Sequence, residues 1–357
     1  MSDIVVIGGG IAGLSAAARL APHARVTVLE AEDALGHHAS GRSAALFEQN
    51  YGLAPIRALS RASADFQAPY LSPRGLLLVA RAGEEAAFEA DRADLGLAEI
   101  DLATARAHVP ILNDTVTRAA YHADAQDIDT DRMLQDFART VRSHGGSVVT
   151  GARVTAIHPG WRVETTAGAY DGNRILNAAG AWADVIARMA GVHPIGIEPF
   201  RRSMARIPAP GDHDVSRWPM LFGVGESWYA KPDAGALLVS PADEDPAAPQ
   251  DAWADDLVVA HGLDRYMQHV TEPVARVTTS WAGLRSFAPD RVLVLGPDGG
   301  NPDFIWCAGQ GGYGFQTAPA ASQLVADLTL GHAPSLDNAT VDALAAKRFS
   351  PVTEPAQ

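Results

Sequence analysis

The residues with the clearest chemical purpose are Gly8, Gly10, Gly13 and Glu30. The glycines form G-x-G-x-x-G, and the acid follows seventeen residues after the last of them. Gly8 permits a tight turn, Gly10 lets a pyrophosphate approach a backbone that carries no Cβ, and Gly13 lets a helix pack closely on a strand. Free N–H groups at the helix N-terminus would face the phosphates. Glu30 can accept hydrogen bonds from a ribose diol, and its charge repels a 2′-phosphate, which disfavours NADP. The adjacent His37 and His38 invite a metal reading. Neighbouring residues rarely share one ion and no carboxylate–histidine spacing accompanies them, so backbone or cofactor contact is expected and no metal site. Residues 127–131, DIDTD, open like a calcium loop. Such a loop needs glycine at its sixth position and glutamate at its twelfth, where this chain has Arg132 and Ala138, so that reading fails.

The glycine motif carries meaning only between a strand and a helix. Residues 4–7 are an apolar run that reads as a buried parallel strand; Leu14, Ala17, Ala18 and Ala21 continue as a helix, and residues 26–29 form a second strand. Residues 31–52 read as a long loop with a short helix at 43–47, where Arg42 lies among small residues that admit a large ligand. Residues 75–80 form a strand, and 84–92 and 102–107 form helices, the second stopped before Pro110. Asp129 or Thr130 caps a helix whose apolar face is Met133, Leu134, Phe137 and Val141. Strands at 147–150, 162–165 and 174–177 follow, the last leading through a small-residue turn, 178–182, into a helix. Residues 195–280 are proline-rich with short strands at 227–230 and 236–240. Strands at 291–295 and 304–308 precede Gln310-Gly311-Gly312-Tyr313-Gly314, a second glycine-rich helix entrance. Cys307 reads as a small buried apolar residue.

Residues 1–50, 125–195 and 282–357 therefore share a cofactor-binding texture, interleaved with 51–124 and 196–281. The expected fold class is α/β: a Rossmann-type domain interleaved with a substrate domain on a mostly antiparallel sheet. A nicotinamide domain usually stays in one block, so interleaving with a glycine-rich C-terminal segment points to extended FAD. The net charge of −14 opposes binding to nucleic acid or an anionic membrane. One cysteine excludes an internal disulfide. No apolar run is long enough to span a membrane and no basic leader precedes the first strand, so a cytoplasmic protein is expected. Asp243, Glu244, Asp245, Asp251, Asp255 and Asp256 lie in a stretch without Lys or Arg and read as a solvated acidic face.

Taken together, VVIGGGIAGLSAA with Glu30, SGRSAA at 40–45, DIDTD at 127–131, NAAGAW at 177–182, RRS at 201–203, WPML at 218–221, YAKPDAG at 229–235, WAGLRSF at 281–287 and QGGYGFQT at 310–317 are specific. Over nearly its whole length the chain resembles the FAD-dependent oxidoreductases of the D-amino-acid oxidase and sarcosine oxidase type, and within them the bacterial D-arginine dehydrogenases. The resemblance implies FAD contacts at Ala12, Glu30, Ser40, Arg42, Ser43, Ala44, Ala45, Val154, Gly180, Trp182, Gly283, Gly311, Gly312, Tyr313, Gly314, Phe315, Gln316 and Thr317. It implies that Arg202 and Arg285 hold a substrate carboxylate, that Tyr51 and Tyr229 close over it, and that the Gly312 carbonyl meets the amine. Three pocket positions depart from the pattern: Leu76 replaces an acid, Leu46 a histidine and Glu48 a threonine. A basic side chain thereby loses its partner. No cysteine stands near Trp281, so FAD is expected to be non-covalent.

The implied reaction is oxidative deamination of a D-amino acid with a neutral or apolar side chain. Hydride leaves the α carbon for flavin N5, and the imino acid hydrolyses to a 2-oxo acid and ammonia. Alternatives are a basic D-amino acid such as D-arginine, a secondary amino acid, a 2-hydroxy acid, or a non-catalytic flavin-binding redox sensor. Oxygen or a quinone would accept the electrons, and the protein is expected as a monomer or weak oligomer.

Overall fold

Val5 and Ile7 bury one face of the opening strand and Ile4 and Val6 the other, as a central parallel strand requires. The computed structural model describes residues 3–349 and sets this strand, Asp3–Ile7, between Arg174–Asn177 and Arg25–Leu29 in a six-stranded sheet. Phe304–Ala308 and Ser147–Val149 extend it in parallel, and Val294–Pro297 closes one edge antiparallel. Helices Ile11–Leu20, Thr130–Ser143 and Gly314–Leu330 pack on one face through Leu14, Phe137 and Leu324. Asp129 starts the middle helix by accepting from Arg132 N–H at 3.1 Å. Ile186, of helix Ala183–Met189, and Val163 cover the opposite face.

The glycine turn holds together through contacts that admit no side chain. Gly8 has φ +114°, and a Cβ there would lie 2.3 Å from Ala178 O. A Cβ at Gly13 would lie 1.9 Å from Gly8 O.

The second sheet has nine strands and is mostly antiparallel. Thr279–Phe287 and Ala236–Ser240 flank the long strand Glu198–Pro208. Tyr229–Asp233, Met220–Gly223, Leu76–Arg81, Val116–His122 and Ala98–Ile100 continue the sheet, with one parallel pairing between Met220–Gly223 and Leu76–Arg81. Side chains alternate across it. Leu77, Leu221, Ala230 and Val239 pack against Leu263 and Tyr266 of helix Asp256–Met267. Leu76, Met204, Met220 and Tyr229 face the other way, towards Ala44, Leu46 and Tyr51. The strand Thr279–Phe287 runs across the expected segment boundary at residue 282 and pairs throughout with Glu198–Pro208.

Two expectations are corrected. Residues 43–47 are not a helix: a 3-10 turn at Ala39–Arg42 gives way to extended chain and the strand Leu46–Phe47, paired with Gln126–Ile128. The helix propensity of Ser-Ala-Ala is overridden because Lys231 Nζ takes the Ala44 and Ala45 carbonyls, which a helix would use internally. The acidic block is a solvated face only in part: Glu244, Asp245, Asp251 and Asp256 are exposed, but most of its acids are also paired. Asp243 is buried against Ser203 and Arg201, Asp245 also pairs with Arg201, Glu244 with Arg291 and Asp251 with Arg42, while Asp255 caps a helix. The partners are arginines distant in sequence, which a local charge count does not see.

The Gly13 contact gives a direct test of the turn. Gly13→Ala is expected to cost about 3 kcal/mol, because two backbone segments must separate. Urea unfolding measures it, and an unchanged midpoint would show that helix and strand do not meet there.

Candidate active site

The first cradle is the turn between Asp3–Ile7 and Ile11–Leu20. Gly9 N–H donates to Glu30 Oε2 at 2.7 Å and Glu32 N–H to Glu30 Oε1 at 2.9 Å, so the buried acid locks the turn while bordering a cavity of about 390 Å³. Gly9 was not singled out by sequence, yet a Cβ there would strike Glu30 at 2.8 Å. At Gly10 a Cβ would meet only Ser40 Oγ, at 3.1 Å, so the space before it is reserved for a ligand. The helix Gly314–Leu330 also begins without a side-chain cap, and Gly314 and Phe315 border the same cavity. Ile11 N–H donates to Ser40 Oγ at 3.0 Å, and the positive ends of the two helix dipoles favour an anionic or electron-rich ligand.

All the expected cofactor residues border this cavity except Gly13, Ala45, Tyr313, Gln316 and Thr317. Ala45 and Gln316 border a second cavity of about 70 Å³. Thr317 is fully buried with its hydroxyl donating to Tyr313 O at 2.8 Å, and the Tyr313 ring packs on Tyr51 at 5.2 Å. Ser43, Ala44, Arg202, Tyr229, Arg285 and Gly312 border both cavities and mark where they meet. Cys307 borders neither; it is buried, which pushes its thiol up to about 12.

The sheet register explains the pair of arginines. Arg202 stands opposite Gly283, and Arg285 is two residues further along that strand. Both guanidiniums therefore leave the same face. Arg202 is 9% exposed, and its Nε and Nη1 have no hydrogen-bond partner among the described residues. A buried cation with idle donors costs several kcal/mol unless an anion completes it. Arg285 is partly exposed to the cavities. Burial works against its charge, yet Tyr51, Tyr229 and Glu226 hold it more firmly protonated than a free arginine. Burial, opposed by Arg285 and reinforced by Glu226, raises the Tyr51 hydroxyl above its ordinary range, so it remains a donor. Gly312 has a role that sequence did not show: a Cβ there would lie 2.9 Å from Arg285 Cζ.

The small cavity is walled by Leu46, Leu76, Leu95, Met220 and Phe222. Leu76 pairs with Met220 in the sheet, which keeps both apolar side chains on one face. Glu48 borders the cavity but is already engaged: its Oε1 accepts from Asn50 N–H at 3.0 Å and its Oε2 lies 2.7 Å from His122 Nδ1. Glu226 was missed by sequence reasoning. It sits at φ +50° beside Tyr51, and no local signal in VGES announces it. His37 and His38 do have a carboxylate nearby, contrary to expectation: Glu32 Oε1 is 3.1 Å from His38 Nε2. The same oxygen is 2.7 Å from Arg153, and Asp251, on the other side of the histidines, is held by Arg42. The cluster thus carries its own counter-cations.

The model of the family described as FAD dependent oxidoreductase matches residues 3–328. The chain belongs to that family. It is 26% identical to glycine oxidase of Pseudomonas putida, over 94% of this chain and 97% of that protein. It is 28% identical to mitochondrial dimethylglycine dehydrogenase of Rattus norvegicus, of which it spans only 30%. Among solved structures, L-proline dehydrogenase from P. horikoshii superposes with a TM-score of 0.82 at 23% identity, covering 98% of this chain and 97% of that one. Glycine oxidase from Geobacillus kaustophilus gives 0.81 at 20% identity, with 96% and 98% covered. The protein is an FAD-dependent oxidoreductase acting on an amino-acid-like substrate, with FAD held non-covalently. Among the described residues no helix is long and apolar enough to cross a membrane.

Purified protein is expected to release one FAD on denaturation. Gly10→Val should give colourless protein whose unfolding midpoint matches that of the FAD-stripped wild type, because the new side chain meets the ligand's space and little else. Retained yellow colour in that variant would place the pyrophosphate elsewhere.

Proposed function

We propose that the protein dehydrogenates the Cα–N bond of a neutral amino acid, and that an N-substituted (secondary) amino acid is its preferred form. The observation that carries the substrate class is Arg202 beside Arg285 at the meeting of the two cavities, with Arg202 donors that a carboxylate would complete. Bidentate guanidinium pairing suits a carboxylate. The apolar wall around Leu76 favours a neutral substituent, since burying an unpaired cation there costs several kcal/mol. The secondary-amine preference is supported by relatives named for N-methyl-L-tryptophan and by neighbours named for proline and iminodiacetate. A primary D-amino acid with an apolar side chain is the second reading, favoured by the same wall and by the motifs shared with D-amino-acid enzymes. Arginine-like substrates are disfavoured by Leu46 and Leu76.

FAD, bound along the large cavity, supplies a two-electron acceptor. The chain's own residues do the positioning. Arg285 and Arg202 fix the carboxylate, the Tyr51 and Tyr229 hydroxyls donate to it, and the Gly312 carbonyl accepts from the amine N–H. These contacts leave the Cα–H facing the large cavity, so orientation does most of the catalytic work. Among the described residues, the carboxyl groups bordering the small cavity belong to Glu48 and Glu226, and both have partners. The amine accordingly enters neutral and its proton goes to water. We assign the six-stranded sheet, with strands between residues 3 and 29, 147 and 177, and 294 and 308, to the cofactor, and the nine-stranded sheet to the substrate.

Two outcomes are expected. Arg285→Met should lower kcat/KM by roughly 10²- to 10³-fold, a loss of about 2–5 kcal/mol from a pair whose partner stays buried. Near-normal turnover would mean the carboxylate is held elsewhere, first by Arg202. Steady-state kinetics on N-methyl, D- and L-amino acids should rank neutral N-methyl or D-substrates first, and Leu76→Glu should shift preference towards D-arginine and D-lysine. A wild-type preference for D-arginine over every neutral substrate would overturn the reading.

A further inference from the structure

We propose that Lys231 is a positioning residue that sets the Ala44–Ala45 backbone between cofactor and substrate. This rests on the assignment of the two cavities made above. Lys231 is 9% exposed and lies two residues from Tyr229 on the same strand, so both side chains leave the same face of the substrate sheet. Tyr229 borders both cavities; Lys231 borders neither. Its Nζ lies 2.7 Å from Ala45 O, 3.4 Å from Ala44 O and 2.8 Å from Asp127 Oδ1. Asp127 also binds Arg74, at 2.6 Å, and Arg74 Nη1 donates to Ser216 O and Trp218 O at 2.8 Å each. Asp127 stands opposite Leu46 in the small ladder, and Leu46 is part of the apolar wall. One network therefore joins four separate stretches: SGRSAA, SPRG, DIDTD and YAKPDAG. Asp127 and Lys231 had no function assigned by sequence.

The direction of the carbonyls is what makes this more than support. Ala44 borders both cavities and Ala45 the smaller one. Their oxygens are received by the Lys231 amine, and Lys231 borders neither cavity. Burial lowers the Lys231 pKa, and the Asp127 carboxylate 2.8 Å away opposes that. Without Nζ the two carbonyls lose their buried partner, and an unpaired buried acceptor is costly enough to turn the peptide. The available solvent-facing direction is the junction of the cavities, where two carbonyl oxygens would repel a substrate carboxylate and alter the field on the flavin.

The test compares Lys231→Met, Lys231→Arg and wild type as holoenzymes. Three readouts are taken: the visible absorption bands of bound FAD, the Kd for benzoate from the perturbation of those bands, and kcat and KM for the best substrate. The expected result for Lys231→Met is shifted flavin bands, at least tenfold weaker benzoate binding and a KM raised more than kcat is lowered. Lys231→Arg, which keeps a charged donor, should restore benzoate binding to within about threefold of wild type. Unchanged bands and benzoate affinity in Lys231→Met, whatever its unfolding temperature, would overturn the proposal by leaving only a structural role. If that variant does not fold, Asp127→Asn decides: it keeps the amine but loosens its anchor, and should shift bands and benzoate binding the same way by a smaller amount, while wild-type values would again overturn the idea. A wild-type holoenzyme reduced by no amino acid would sink the functional reading instead, and the band and benzoate arms would still judge Lys231.

Discussion

Two guanidinium groups on one face of one sheet are the constraint on which the rest of this structure depends. Arg202 is buried with donors idle, and Arg285 is held charged by hydroxyls and a carboxylate. An unpaired buried guanidinium is costly, which supports the anion proposed for this junction. Everything beside them serves that end. Gly312 has no side chain because the Arg285 guanidinium needs the space: a Cβ there would lie 2.9 Å from Arg285 Cζ. Tyr51 remains a donor because burial raises its pKa. The apolar wall behind them leaves the carboxylate as the substrate's one strong polar handle.

The interleaved chain is a consequence of the same demand. A long cofactor needs phosphate groups at one helix start and its reactive ring at another, so the glycine turns at Gly8 and Gly311 come from opposite ends of the sequence and meet at one cavity. The substrate sheet must then present its charged face to that cavity, which fixes the register of Glu198–Pro208 against Thr279–Phe287. The acidic stretch that follows is drawn in as counter-charge for Arg42, Arg201 and Arg291.

What was legible in the sequence was what depends on neighbours in the chain. Gly8, Gly10, Gly13 and Glu30 act through one turn, and the structure places all four in it. Most strands of the six-stranded sheet followed from apolar runs, whereas Glu198–Pro208 and Thr279–Phe287, which carry the two arginines, were not read as strands. Arg202 and Arg285 stood out only through a resemblance spread over many short motifs, because an isolated arginine in a strand says nothing about its partner. The helix expected at 43–47 failed because its carbonyls are claimed by Lys231, far away in sequence. Glu226 was illegible for a related reason: a backbone twist at φ +50° brings it to Tyr51, and no residue type signals that twist. Sequence reads local geometry well and long-range pairing of charges poorly, and this site is made of such pairings.

The central claim is that the substrate carboxylate is held by Arg285 and Arg202 where the two cavities meet. A crystal structure of the FAD-loaded protein with a non-oxidisable N-methyl or D-amino-acid analogue tests it most directly. The account predicts the carboxylate on Arg285 within hydrogen-bond distance of Tyr51 and Tyr229, the amine towards Gly312 O, and the side chain against Leu76. A carboxylate bound away from both arginines, with the Arg202 donors still unpaired, would contradict it.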